Sequence, residues 1–291
     1  MSVRPQTGGE EAVRRAVRGA RRDAARAAVL GFAVPLLLLS GWEAAARTGV
    51  VDALLFPPPS RIAAQLAAMT ADGELGGHLA GTLGRLLPGY VLGALAGALT
   101  GFAMGVSVTL RAALGPLFAA LYCLPKIATL PLLLLVFGLG ETPKVLAVAI
   151  TVFFVTQINT LAGVRRIDAR VLETARSYGA SGPRLLRFVL LPGAAPAILT
   201  GLRTAVGLAV VVVVAVEFVA SDNGLGFLIW NSWTLFRPDR MYVGLVTVAV
   251  LGAVLSAALA VAERWLLPWQ AARPPLFAPW RTLLRARTPR S

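Results

Sequence analysis

Residues 163–196 read GVRRIDARVLETARSYGASGPRLLRFVLLPGAAP. The stretch is too charged to enter lipid and too patterned for a random linker. Asp168 is placed to cap a helix start. Val171, Leu172, Ala175 and Tyr178 then fall at offsets of 0, 1, 4 and 7, which is one helical face. Gly179 ends that helix as a C-cap glycine. Ser181-Gly182-Pro183 starts a second helix with proline in its first turn, and Pro192 is expected to stop it. The pattern predicts two short helices joined by a sharp elbow, a shape suited to docking against another protein.

On both sides of this elbow the chain is apolar. Of 291 residues 57% are hydrophobic and 14% charged, against about 25% charged in globular domains. The mean hydropathy of +0.73 excludes an ordinary soluble enzyme. A bilayer core takes roughly 20 apolar residues per helix. On that basis the chain offers six spans: Ala27–Ala46, Leu86–Val108, Ala112–Gly140, Val145–Val164, Ala194–Ala220 and Tyr242–Ala262. The fold class is therefore all-α, a polytopic membrane protein with six transmembrane helices. The first span is interrupted by Pro35 and Glu43. Ala44-Ala45-Ala46 resembles a signal-peptide cleavage site, but the arginine-rich lead is long for a signal, and removal of the span breaks the six-helix parity.

The net charge of +14 raises nucleic acid or anionic lipid as partners. Position excludes nucleic acid, because the arginines flank long uncharged runs. Seven precede Ala27, Arg111 follows the second span, six lie between Arg165 and Arg187, and six follow from Arg264. Only Arg47, Arg61, Arg85, Lys144, Arg237 and Arg240 fall on the opposite side. The excess marks the cytoplasmic side and places both termini there. The basic segment Met1–Arg26 reads as a cytoplasmic tail on anionic lipid, residues 27–76 as the first span with an extracytoplasmic loop, and 268–291 as a second basic cytoplasmic tail. The lone Cys123 excludes an internal disulfide framework, and the lone His78 removes histidine-pair zinc motifs. No metal or cofactor is expected.

Three features inside the spans stand out. Gly89, Gly93, Gly97, Gly101 and Gly105 recur every four residues and form one groove, in which small residues let a second backbone approach. The third span is too long for one straight helix, and Pro116, Pro125 and Pro131 are candidate breaks. Lys126 and Glu217 are intramembrane charges and so candidates for the solute pathway. Lys126 can instead snorkel to a helix end. Glu217 can cap a pathway mouth, pair with a cation, or sit at the outer interface.

The elbow resembles the signature of bacterial ABC-importer permease subunits: Glu-Ala-Ala, three residues, Gly, nine residues, Ile, one residue, Leu-Pro. Here it reads Glu173-Thr174-Ala175, Gly179, Val189 and Leu191-Pro192. The spacing matches throughout, with Thr174 for Ala and Val189 for Ile as the two departures. LFPPPSRI at 55–62, LPKIATLPLLLLVFGLGETPK at 124–144, ARSYGASG at 175–182 and TGLRTAVGLAVVVVVAVEFVASDNGLG at 200–226 look like the nitrate/sulfonate/taurine branch, and most like aliphatic-sulfonate permeases. The resemblance covers about 55–267. It implies a type I importer transmembrane domain at 77–267 in a bacterial inner membrane, with a coupling loop at 165–193. It implies a separate ATPase subunit, an extracytoplasmic solute-binding protein, and import of a small anionic solute such as a sulfonate, nitrate or taurine. With one signature loop per chain and two ATPases per transporter, it implies a second permease copy in a homodimer.

The residues agree with a chain that performs no chemistry itself. A phosphate-binding loop needs Gly-Lys-Ser/Thr, but the two lysines follow Pro125 and Pro143. A membrane-embedded enzyme and a secondary transporter are the alternative readings. The first needs paired carboxylates or a His/Asp cluster near a span end, and the charges near spans are scattered. The second often shows inverted repeats and discontinuous helices, of which only the third span gives a hint.

Overall fold

The computed structural model describes residues 30, 31 and 33–268. The basic tail 1–26 and, apart from Pro268, the basic tail 268–291 lie outside the described residues, as do 27–29 and 32 of the first expected span. The chain divides into two units: Met1–Ser60 with Pro268–Ser291, and Arg61–Leu267.

In the first unit a helix, α1, runs over 33–47. Glu43, which interrupts the first span in the sequence, is neutralised locally. Its carboxylate accepts from Arg47 Nε at 2.6 Å and from the Ser60 backbone N–H and hydroxyl at 3.0 and 2.7 Å.

The second unit is helical, with no strand among the described residues. α2 (Pro59–Ala71) leads into α3 (Glu74–Val106), then α4 (Val108–Tyr122), α5 (Leu130–Phe137) and α6 (Thr142–Arg165). After the elbow helices α7 (Ala169–Ser177) and α8 (Gly182–Leu185) come α9 (Leu191–Ala220), α10 (Leu225–Thr234) and α11 (Pro238–Leu266). Among the described residues four helical runs are long and apolar enough to cross a membrane: Glu74–Val106, Thr142–Arg165, Gly182–Ala220 and Pro238–Leu266. Val108–Tyr122 with Lys126–Phe137 forms a fifth, bent by 96°.

The third span is broken at one of its three prolines. Pro116 lies inside α4, and Pro131 sits in the first turn of α5, where its missing N–H costs nothing. The break falls at Pro125, between the end of α4 and a 3₁₀ turn at Lys126–Thr129. The second span differs from the sequence expectation at its start. Helix α3 begins at Glu74, twelve residues before Leu86, so its polar first turns carry His78, Thr82 and Arg85.

Helices α3 and α6 run parallel and make the most extensive contact in the fold. A Cβ built on Gly89 stands 2.6 Å from the carbonyl oxygen of Val145. On Gly93, Gly97 and Gly101 it lies under 3.0 Å from the carbonyl oxygens of Ala149, Phe153 and Gln157, and on Gly105 it is 2.6 Å from Val164 Cβ. Four of the glycines thus admit backbone, and Gly105 the Val164 side chain, where any other residue would place its own side chain. Lipid tails are as apolar as leucine, so close packing, not hydrophobicity, holds such helices together. Helix α9 closes the third side of this core: Gly163 meets Ala197, Gly201 meets Asn159, and the Tyr90 hydroxyl donates to the Leu202 carbonyl at 2.7 Å.

Replacement of Gly97 by alanine forces two backbones apart. The expected cost is roughly 1–3 kcal/mol, a typical overpacking penalty, read as a lower melting temperature in detergent. Gly115, where an added methyl group would meet nothing within 4 Å, is the control, and its alanine variant melts at or above the parent.

Candidate functional site

The elbow is built from one capped helix, α7, and a second stretch, α8, that differs from the sequence expectation. Asp168 accepts from the Arg170 N–H at 2.9 Å and starts α7. The helix ends in a Schellman motif, with Gly179 N–H bonded to the Arg176 carbonyl, Ala180 N–H bonded to the Ala175 carbonyl, and Gly179 at φ +79. Pro192 does not end the second helix. Between α8 and α9 the chain makes a π turn at Leu186–Leu190, with the Leu191 N–H reaching back to the Leu186 carbonyl. A widened turn relieves the clash between a proline ring and the carbonyl four residues earlier, so Pro192 sits in the first turn of α9. The second half of the elbow is therefore the projecting end of the run Gly182–Ala220.

Glu173, Thr174 and Gly179 are exposed, and Ala175, Val189 and Pro192 half-buried. Neither Arg170 nor Arg176 orients Glu173, whose carboxylate has no hydrogen bond or ion pair among the described residues. The Thr174 hydroxyl bonds back to the Arg170 carbonyl at 2.7 Å. Tyr178 is 89% exposed, and Phe188 and Leu191 are also uncovered. A methyl group on Gly179 has nothing within 4 Å. The elbow thus offers a rigid, partly apolar surface that its own chain leaves open.

Lys126 and Glu217 lie in different surroundings. Lys126 Nζ donates to the carbonyls of Leu121, Tyr122 and Leu124 at 2.8, 3.0 and 3.0 Å and lies 4.4 Å from the Phe154 ring centroid. It caps the carbonyl end of α4, where the helix dipole favours a cation. No carboxylate pairs with it among the described residues.

Glu217 is 0% exposed and paired with Arg85, itself 3% exposed, at 2.8 Å. Its second oxygen accepts from the Thr82 hydroxyl at 3.0 Å and the Gly226 N–H at 2.8 Å. Of the readings open to it, the geometry is that of a carboxylate paired with a cation. Every donor nitrogen of Arg85 is used. Nε bonds Glu141 at 2.5 Å, Nη1 bonds Glu217 and the Asn223 carbonyl, each at 2.8 Å, and Nη2 bonds Glu141 at 3.1 Å and the Asn223 side chain. Lys144 adds a bond to Glu141 at 2.8 Å. Three successive N–H groups opening α10 are held by side chains: Gly224 by His78 Nδ1 (3.2 Å), Leu225 by the Thr82 hydroxyl (2.8 Å) and Gly226 by Glu217. The cluster ties α3, the head of α6, the end of α9 and the start of α10 together.

The sequence points to Glu217 but not to Arg85, Glu141, Lys144 or Asn223. The available signal is their placement, since Arg85 directly precedes an uncharged run and Glu141 and Lys144 head another.

Residues 89–269 match the family described as binding-protein-dependent transport system inner membrane component. The chain belongs to that family. It is 33% identical over 249 residues, 84% of this chain and 90% of the relative, to the taurine transport system permease protein of Escherichia coli (strain K12). It is 33% identical over 239 residues, 82% and 91%, to a putative aliphatic sulfonates transport permease protein of the same organism. It is 37% identical over 243 residues, 83% and 91%, to the riboflavin transport system permease protein of Chloroflexus aurantiacus. The chain is thus the permease subunit of an ABC importer, a multi-pass membrane protein and not an enzyme. Its family partners are an ATPase and a solute-binding protein.

Loss of the buried charge pair is expected to be costly. Glu217→Gln leaves part of the Arg85 guanidinium unpaired in a dry site, a loss of roughly 3 kcal/mol, read as a lower melting temperature of the purified permease. Glu141 differs because it is 59% exposed. The adjoining Arg85 guanidinium, followed by Lys144, holds its carboxyl down from 4.5 to about 2. A folded pKa below the unfolded one stabilises the fold above the ordinary carboxylate range. That contribution is present above about pH 4.5 and lost as pH falls toward 2. Glu141→Gln is expected to flatten the acid limb of the stability profile in that window.

Proposed function

We propose that the permease carries a small sulfonate-type anion inward, as one half of a homodimer whose pathway lies on the two-fold axis. The elbow supports this reading: a rigid, capped, uncovered element between two spans, carrying the family's signature residues. In this arrangement Glu173, Thr174, Ala175, Gly179, Val189, Leu191 and Pro192 form the ATPase contact within the coupling loop 165–193. The transmembrane domain is 77–267. Both termini and the basic tails 1–26 and 268–291 face the cytoplasm, with the elbow, because the arginine excess lies on that side. Two of the relatives are named for taurine or aliphatic sulfonates, and their shared chemistry is an oxyanion. Lys126, a cation at a helix break with no carboxylate partner among the described residues, places an uncompensated positive charge within the membrane, where it favours passage of an anion.

Two expected outcomes test the assignment. Gly179→Asp adds a charged side chain to the outer face of the elbow. The chain stays folded, because the site is open and a non-glycine residue at this φ costs roughly 1–2 kcal/mol. Uptake and solute-stimulated ATP hydrolysis both fall while membrane abundance is preserved. Wild-type transport by this variant removes the elbow from coupling. For the solute, uptake of labelled taurine is compared in Lys126→Ala and Lys126→Arg. Loss of roughly 1.4 kcal/mol of electrostatic help is tenfold in rate, so the alanine variant slows about that much and the arginine variant retains most of its activity. Equal, wild-type rates in both variants remove Lys126 from the pathway. Uptake of riboflavin but not of taurine or ethanesulfonate overturns the sulfonate reading.

A further inference from the structure

Arg85 and Lys144 have side-chain exposures of 3% and 4%, yet the carboxylate that joins them, Glu141, is 59% exposed. The Arg85 donors fall into two sets. One faces inward, to Glu217 and Asn223, which are themselves tied to α10. The other faces outward, to Glu141 alone. Lys144 has no partner except Glu141 among the described residues. Glu141 lies on the turn between α5 and α6, three residues after Gly138, which has φ +75, and directly before the 24-residue helix α6. The positive end of that helix dipole adds to the two cations.

The charge balance is informative. With Glu141 in place, two buried cations face two carboxylates and the cluster is neutral. If Glu141 swings out, Arg85 remains neutralised by Glu217, and Lys144 leaves one buried charge unpaired. A vacancy is therefore costly, whereas exchange for another monoanion is cheap. The outward side of the guanidinium, Nε with Nη2, is a fork that donates to two oxygens of one group, as it does to Glu141.

We infer that Arg85 and Lys144 form an oxyanion-binding site whose resident occupant is the Glu141 carboxylate, and that the anionic group of the solute takes its place during transport. This rests on the anionic-solute reading above. Because Arg85 also holds Glu217 and Asn223, a change of occupant is transmitted to the end of α9 and the start of α10.

The test uses the purified full-length permease with its ATPase in nanodiscs, melted at constant ionic strength in sodium methanesulfonate or sodium chloride. Removal of the Glu141 charge in Glu141→Gln leaves the cluster at +1, and removal of both charges in Glu141→Gln/Lys144→Gln returns it to neutral. Methanesulfonate is expected to raise the melting temperature of Glu141→Gln by about 3 °C over chloride, the shift for a ligand roughly tenfold above its dissociation constant. The wild type and the double variant are expected to shift by less than a third of that. Glu141→Asn, with the same charge and a shorter side chain, is measured in parallel and behaves as Glu141→Gln. A shift in the single variants no larger than in the wild type, or one that survives in the double variant, overturns the inference. The anionic-solute reading is tested separately, by the uptake comparison, and stands if taurine is imported while the melts show no anion dependence.

Discussion

The fold of the permease depends on the backbone contact between α3 and α6. A lipid environment offers no hydrophobic reward for bringing two apolar helices together, so the pair must gain from packing alone. Glycine at every fourth position of α3 leaves α6 carbonyls where side chains would otherwise stand, and fixes the parallel register residue by residue. That register has consequences at both ends. At one end it sets Arg85 of α3 beside Glu141 and Lys144 at the head of α6. At the other, Gly105 meets Val164, the last turn of α6 before the elbow. Two helices locked along their length can convey a displacement from the elbow to the charge cluster without a flexible joint between them.

The charges within the apolar core are settled in different ways. Arg85 and Glu217 neutralise each other and use their remaining hydrogen-bonding capacity on Asn223, Thr82 and the first N–H groups of α10. Desolvation of such a pair is repaid only when the bonding is this complete. Lys126 is satisfied by three backbone carbonyls freed at the end of α4, which meets its hydrogen-bonding needs but leaves its charge uncompensated. The elbow shows the contrary pattern: Glu173 is unpaired among the described residues and Tyr178 almost fully exposed. Bonding completed inside the core and left open at the elbow is the pattern of a subunit whose contacts are finished by another chain.

The features legible in the sequence are those encoded by short-range periodicity or by one residue with a strong backbone preference. The four-residue glycine repeat, the cap at Asp168, the left-handed Gly179 and the break of the third span are of this kind. Other features depend on partners far apart in sequence or on backbone atoms. Arg85 and Glu217 meet across 132 positions, and nothing local in either segment names the other. The Lys126 partners are carbonyls that become free only because the helix breaks at Pro125. Pro192 misleads for a related reason: a proline stops a helix only if the turn before it stays α-helical, and the π turn at Leu186–Leu190 removes that condition. Helices α2 and α10 lack the long apolar runs by which the spans are recognised, so only the structure reveals them.

The claim that the elbow is the contact through which ATP hydrolysis moves the spans is tested most directly by proximity. Tyr178 is replaced by cysteine in a Cys123→Ser background, labelled with a maleimide that carries a benzophenone, and irradiated in membranes carrying the permease with its ATPase, so that the second bond forms at any nearby C–H. The expected result is an adduct of permease and ATPase, formed through residue 178, whose yield changes on addition of ATP. Absence of that adduct from an assembled complex, or an equal yield from a cysteine placed at exposed Leu135, contradicts the claim.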